Sequence, residues 1–426
     1  MRVNKKMLKW TILLIAMVQM PTLAVGPALS SMKAAFTNVD ITTLQTALQS
    51  PNLISPFVSL AVIFLTAKIK KGSPQKTIII SGLSMLIVSA VGMIFFHNEF
   101  WTIYLWGACI GLALGMFIPT TNSLLYDCFN DQERREITGL QTTFINGGGI
   151  IMSMLGGFLA NIGWYGGYLA FFLAIPVIVL SIRYIPGWKE LRVHKKADNG
   201  EKMNFDINIL YYAAIIFVFM SIYNVASTNM SILIIDELGI GTTAATGIIS
   251  AVQLAGGTAA GLIFGKLSQR LKDNILVLGF IVLAAAFVVF SNTGSLIIII
   301  IASFFAGSAM SMVMPQCSYA ISLYSNERSS TIASAFSWSF APSLGGFLSA
   351  RIFTSSSLAI ANNIQAGRFK WGFFCFKGTE YIAETMEKTG DAVSFRYGYV
   401  AFMALICAAI LFILARLRKE SKVNFA

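Results

Sequence analysis

The sequence predicts an all-α polytopic membrane protein whose twelve transmembrane helices form two pseudo-twofold-related six-helix bundles. Three observations carry that prediction. Of the 426 residues, 56% are hydrophobic and only 12% charged, and the mean hydropathy of +0.71 lies far above that of a water-soluble domain. Apolar runs of about 18 residues or more recur along the chain, each long enough to cross a hydrocarbon layer about 30 Å thick as a helix. Finally, one phrase is written twice. Residues 111–134 read GLALGMFIPTTNSLLYDCFNDQER and residues 307–328 read GSAMSMVMPQCSYAISLYSNER. Both start at a glycine, place a proline eight residues on (Pro119, Pro315) and end in Glu-Arg (Glu133-Arg134, Glu327-Arg328). A strand barrel would alternate polar and apolar residues, whereas runs such as ILVLGFIVLAAAFVVF (275–290) are apolar on all sides.

Taken in order, the predicted spans lie near 10–31, 43–66, 77–96, 101–126, 137–160, 164–185, 208–235, 243–265, 275–294, 296–324, 330–357 and 398–415. The first follows Lys5, Lys6 and Lys9 as a secretory signal would, but it is longer than a signal core and eleven more spans follow. Charge sets the orientation. With both termini cytoplasmic, the inner connections and tails hold most of the 31 basic residues, among them Lys68, Lys70, Lys71, Arg183, Lys189, Lys266 and Arg270. The net charge of +12 then reports topology and an anionic inner leaflet, and calls for no nucleic acid. The five cysteines have no metal or redox spacing; Cys109, Cys128, Cys317 and Cys407, in or beside spans, read as apolar filler. No cofactor is expected.

The longest polar inner stretch, 186–207 (PGWKELRVHKKADNGEKMNFDI), divides the chain into an N-terminal bundle, 1–185, and a C-terminal bundle, 208–426. Pro119 then falls in span four and Pro315 in span ten, so the repeated phrase occupies equivalent places in the two halves. Parallel halves about an axis along the membrane normal are a transporter architecture, with the solute held between them.

At these residues the chain resembles the major facilitator superfamily over nearly its whole length. The pattern G-x-x-x-G-x-x-x-P followed by an acid and Glu-Arg at the inner end is typical of that family, and Gly111, Gly115, Pro119, Asp127, Glu133 and Arg134 occupy it. GKLSQRLKDN (265–274) is similar to the family's signature inner loop: Gly265, Leu267 and Arg270 match, and Gln269 stands where the acid is expected. In the N-terminal half TAKIKKGSPQK (66–76) keeps the basic cluster without the acid, so the gate is expected to be held differently from that of relatives. The resemblance implies a drug-exporter-like bacterial member with protons as coupling ion. The antiporter form places a proline beside the glycines of span five; here span five has none and span eleven has Pro342.

Gly107, Gly111 and Gly115 on span four, and Gly257, Gly261 and Gly265 on span eight, recur at i, i+4, i+8, each set making a smooth stripe for a neighbouring helix. Buried ionisable residues, the default functional candidates, are scarce. Only Arg351 falls well inside a predicted span, where it either meets an anionic solute or snorkels to the surface. Asp127 and Glu136 are expected to pair with Arg134 or Arg135 as gate structure. The candidates for solute contact are Gln19, two residues before Pro21 in span one, Trp106 in span four, Asn146 in span five, Asn224 in span seven, Gln316 in span ten and Trp338 in span eleven. For each, interhelical hydrogen bonding or interface anchoring is the plainer role. Together they describe an apolar, aromatic pocket with a few hydrogen-bonding groups, suited to a lipophilic or weakly polar solute.

A connection at about 358–397 is unusually long for this family. Within it GTEYIAETMEKTG (378–390) is expected as an amphipathic surface helix and FKWGFFCF (369–376) as an interfacial aromatic segment.

The leading reading is a secondary transporter that exports an amphipathic small molecule by alternating access, with uptake of a small metabolite or organic anion as runner-up. A receptor or sensor is the third. No Ser/His/Asp set, metal-spaced His or Cys, or Walker lysine loop supports an enzyme or a nucleotide-driven pump. The expected partners are the small-molecule substrate and the bilayer, the expected place is a bacterial cytoplasmic membrane, and the expected state is a monomer.

Overall fold

Proline decides the first feature of the fold, because its ring removes a backbone donor and clashes with the preceding turn. The first span was expected over 10–31, with Pro21 letting the helix bend. In the computed structural model it is a helix α1 (Lys5–Met17), two short 3-10 turns starting at Pro21 and Gly26, and α2 (Leu29–Ala35). The two parts are bent by 47°. The structure describes residues 4–67, 74–187, 206–324, 336–368 and 378–423.

The chain forms two units, Met1–Met203 and Asn204–Ala426. In unit 1 the second span, Ile41–Thr66, joins α3 (Ile41–Leu48) to α4 (Ser50–Ala67). The carboxylate of Asp40 caps α3 by accepting from the Thr43 backbone N–H and hydroxyl. Partial burial of Asp40 opposes its ionisation, but the Thr43 and neighbouring backbone hydrogen bonds prevail and hold its carboxyl below the usual range. There follow α5 (Gln75–Phe95), α6 (Trp101–Cys128) and α7 (Asp131–Leu159). The sixth span is a 3-10 stretch, Trp164–Leu173, continued by α8 (Ala174–Tyr184).

In unit 2, α9 (Ile207–Ser231) runs into a π turn ending at Glu237, then come α10 (Thr243–Leu271), α11 (Asn274–Asn292) and α12 (Leu296–Leu323). The eleventh span is broken up: a π turn at Phe336–Phe340, α13 (Ala341–Ser349), a second π turn at Ala350–Thr354, and α14 (Ser355–Gln365). The connection expected at 358–397 is therefore corrected. Its first residues continue α14, Gly378–Thr389 is helix α15, and the last span, α16 (Val393–Val423), starts five residues earlier than expected. The aromatic segment 369–376 and the linker 188–205 lie outside the described residues.

Among the described residues eleven helices are long and apolar enough to span a bilayer, twelve with the bent pair. In each unit the first span starts and the sixth ends on the same side, called here the terminal end, and the opposite side the distal end.

Two close packings use glycines of the long spans. The stripe Gly107, Gly111 and Gly115 lies against α4 at Ser50, Ile54 and Val58, where a Cβ would collide with these side chains. The stripe on α10 is not used the same way. Gly261 and Gly265 have nothing within 4 Å, and the close approach is made by Gly256 against the Phe304 backbone and by Gly307 against the Gln253 carbonyl. The helix rotates a residue away from the expected seam, because the contact with α12 needs both glycines to interlock.

Candidate functional site

A broken helix leaves backbone groups without helical partners, and such breaks in membrane spans gather around bound solutes or ions. In unit 1 that break lies between Met17 and Pro21. It is held from behind by α7: a Cβ at Gly148 would strike the Met17 carbonyl, and one at Gly156 the Ala24 carbonyl. Gly167 of the sixth span meets the same Ala24 carbonyl. Gly148, Gly156 and Gly167 thus have a physical task, which is to admit irregular backbone where no side chain fits.

Gln19 sits in this break, half-buried, and its Nε2 has no hydrogen-bond partner. Asn146 is half-buried on α7 two residues before Gly148, about 200° round the helix from the face that meets Met17. Trp106 lies apart. Its ring fills the space left by Gly92 of α5 and stacks on Phe96 at 6.5 Å, away from the glycine stripe, and its Nε1 also lacks a partner.

The three residues of unit 2 are dispersed. Asn224 turns its Nδ2 back onto the Met220 carbonyl at 2.8 Å, within its own helix. Gln316 is 5% exposed and joins three helices near the terminal end: its Oε1 accepts from the Ser268 hydroxyl at 2.7 Å, and its Nε2 donates to Asp273 at 3.4 Å. Trp338 is 59% exposed on the π turn before α13.

The motif residues occupy the terminal ends. Pro119 is inside α6. The Asp127 side chain lies outside the described residues. Asn130 and Glu133 form a capping box at the start of α7, and the Arg134 Nε donates to the Phe129 carbonyl at 2.8 Å. The expected pairing of Glu136 with Arg134 or Arg135 is corrected: Glu136 binds Lys9 at 2.5 Å, and Glu133 binds Lys5 at 2.9 Å. Lys5 and Lys9 stand one turn apart on α1 and face acids three apart on α7, so the two helices are laced along their length. Its Asn130 backbone hydrogen bond, and then Lys5, hold the Glu133 carboxyl below its usual range. Gly265, Gln269 and Arg270 are exposed.

Two neutral side-chain pairs join helices at the terminal ends. Gln75 Nε2 donates to the Ser123 hydroxyl at 2.9 Å across α5 and α6, and the Ser268 hydroxyl donates to Gln316 across α10 and α12.

Sequence reasoning missed the largest polar cluster. Arg351 is exposed, whereas Arg396 and Asp391 are each 1% exposed at the distal end of unit 2. Arg396 donates through Nη1 and Nη2 to the two Asp391 oxygens at 3.0 and 2.5 Å, through Nη1 to Asn229 of α9 at 2.7 Å and through Nε to Ser357 of α14 at 2.9 Å. Beside it Glu237 accepts from the Val393 and Ser394 backbone N–H groups at the start of α16 and from the Tyr381 hydroxyl of α15. Burial, and then the Glu237 charge, push the Tyr381 phenol up to about 12. The signal was there to find: Asp391 and Arg396 immediately precede an apolar run, and placing the start of the last span at Val393 puts Arg396 inside it. Among the described residues no three His, Cys, Asp or Glu side chains gather as a metal site would need.

Comparison with known proteins gives three findings. A family model described as Major Facilitator Superfamily matches residues 11–350. No curated protein compared with the chain matches it. Solved structures with a similar fold include a bacterial homologue of the human lysosomal transporter Spinster, inward-facing and unoccupied, at TM-score 0.70 and 12% identity, with 97% of each chain covered. The POT family transporter PepTSo aligns at TM-score 0.72 and 12% identity, covering 97% of this chain and 98% of its own. The nucleoside transporter NupG aligns at TM-score 0.64 and 12% identity, covering 95% and 99%.

Proposed function

Since the chain belongs to the major facilitator superfamily, a multi-pass membrane transporter and not an enzyme, we propose that it exports an amphipathic or weakly polar organic solute by alternating access, driven by a proton gradient. The observation that carries the choice of solute is the break in the first span. It offers an amide nitrogen, Gln19 Nε2, without a hydrogen-bond partner, in a break whose Met17 and Ala24 carbonyls pack against Gly148 and Gly156. A pocket of this make-up gives orientation through one or two hydrogen bonds and affinity through apolar contact. Sugars and organic anions need more donors or a fixed cation than this neighbourhood supplies.

In this reading the terminal ends are cytoplasmic, as the basic residues of the tails and inner connections favour, and the membrane is that of a bacterial cell. The protein acts as a monomer, and Gln19, Trp106, Asn146, Asn224, Gln316 and Trp338 are its solute-recognition residues, with Gln19 making a direct hydrogen bond. The neutral latches at Gln75–Ser123 and Ser268–Gln316 support the inner gate, with Gly111, Gly115, Pro119, Asp127, Arg134, Gly265, Gln269 and Arg270 around it.

Counterflow in proteoliposomes tests this directly. A lipophilic cation such as tetraphenylphosphonium and neutral amphiphiles are expected to exchange, faster with an imposed pH gradient, while sugars and carboxylates are not. Exchange of carboxylates alone would replace export of amphiphiles by uptake of an organic anion.

A further inference from the structure

A lid needs a weakly held element. Helix α15, which precedes the last span, is firmly held. Its apolar face, Ile382 and Met386, is buried in a small core with Ala361 and Ile364 of α14 and with Ala392 and Phe395. Tyr381 on the same helix donates to Glu237, and that carboxylate in turn caps the start of α16. The turn from α15 to α16 is closed by Gly390, at φ +68°, whose N–H donates to the Met386 carbonyl at 2.9 Å.

At the centre stands Arg396. One planar guanidinium reaches α9 through Asn229, α14 through Ser357 and the turn before α16 through Asp391. Asp391 is further held by the Ala392 N–H at 2.8 Å, and next to Arg396 the Tyr397 hydroxyl donates to the Ala226 carbonyl of α9 at 3.1 Å. A buried ion pair is weak evidence for stability, since apolar residues of similar volume do as well; its best-attested use is to fix one arrangement among several. The fork geometry of arginine suits it for holding three partners at once.

We propose that Arg396 is a positioning residue that joins α15 and the distal ends of α9, α14 and α16 into one rigid block, so that α15 travels with unit 2 and does not open and close as a lid.

The test is a distance measurement in the full chain, which does not depend on which solute is carried. Spin labels are placed at Glu384→Cys, on the exposed face of α15, and at Gly294→Cys, in the exposed turn before α12. The five native cysteines are replaced, and the protein is reconstituted in lipid nanodiscs. Pulsed dipolar spectroscopy at acidic and alkaline pH, with and without tetraphenylphosphonium, is expected to give one narrow distance that does not move. A second population, or a shift between conditions, overturns the proposal. Arg396→Lys keeps the charge but cannot reach Asn229, Ser357 and Asp391 together, and is expected to widen the distribution roughly twofold. A width equal to the wild type would assign the rigidity to the apolar core alone and remove Arg396 from the role. If that variant does not insert, Arg396→Met with Asp391→Leu leaves no charge orphaned and carries the same expectation.

Discussion

Arg396 shows how one residue can fix several elements. Its guanidinium is 1% exposed and four of its five N–H donors are taken by Asp391, Asn229 and Ser357. Removing one partner of such a pair leaves the other charged, dehydrated and alone, which costs about 3–5 kcal/mol. Thermal unfolding of detergent-solubilised protein is therefore expected to show Arg396→Ala strongly destabilised, while Arg396→Met with Asp391→Leu stays within about 1 kcal/mol of the wild type. Equal destabilisation by the single and the double change would mean that the neighbourhood depends on the side-chain shape and not on the charges. Gln316 acts on a smaller scale. Gln316→Leu orphans the Ser268 hydroxyl and is expected to cost about 1 kcal/mol, and Ser268→Ala added to it is expected to cost nothing further. A double-mutant cycle measures this, and additive losses would dissociate the two residues.

At the scale of the element, the first span and α7 form one device. The span breaks because Pro21 cannot complete the turn, and the break is accepted because Gly148 and Gly156 leave room for the Met17 and Ala24 carbonyls. The neighbouring glycines discriminate between this account and general flexibility. A Cβ at Gly147 meets nothing within 4 Å, whereas one at Gly148 meets backbone. Gly147→Ala is expected to leave folding intact, and Gly148→Val to destabilise by about 1–3 kcal/mol or prevent insertion, as read from monodisperse yield and melting. The cap on α3 has a pH signature. Asp40 has a folded-state pKa below its unfolded value, so its contribution, about 1 kcal/mol for such a cap, is present above the ordinary carboxylate range and fades as pH falls through the lowered value. Asp40→Asn keeps an accepting oxygen for Thr43 and is expected to remove that acid dependence; a melting profile as acid-sensitive as the wild type would exclude Asp40 as its source. The distal ends of the two units are closed by different chemistry. In unit 1 Phe36, Phe100, Trp164 and Tyr165 pack with His97, which stacks on Tyr165 at 3.9 Å. In unit 2 the corresponding end is ionic.

For the whole molecule, six spans in each unit and a match to the major facilitator superfamily over residues 11–350 make it a membrane transporter. Under the proposed export mechanism, Gln19→Leu is expected to lower counterflow of tetraphenylphosphonium about tenfold, as loss of one hydrogen bond at a binding site would, with insertion unchanged. Unchanged exchange would move the site away from the break. The number of spans, their order, the division near residue 200 and the repeated phrase in the fourth and tenth spans were legible in the sequence, because hydrocarbon thickness and backbone satisfaction act on every run of residues locally. So was the bend at Pro21, where the cause is one ring. What the chain does beyond local rules was not legible: that the α10 stripe rotates to interlock Gly256 with α12, that Glu133 and Glu136 choose Lys5 and Lys9 over nearer arginines, and that Arg396 is buried. These outcomes depend on which groups residues distant in sequence bring within 3 Å, and a charge belongs inside a membrane protein only once all of its partners have arrived.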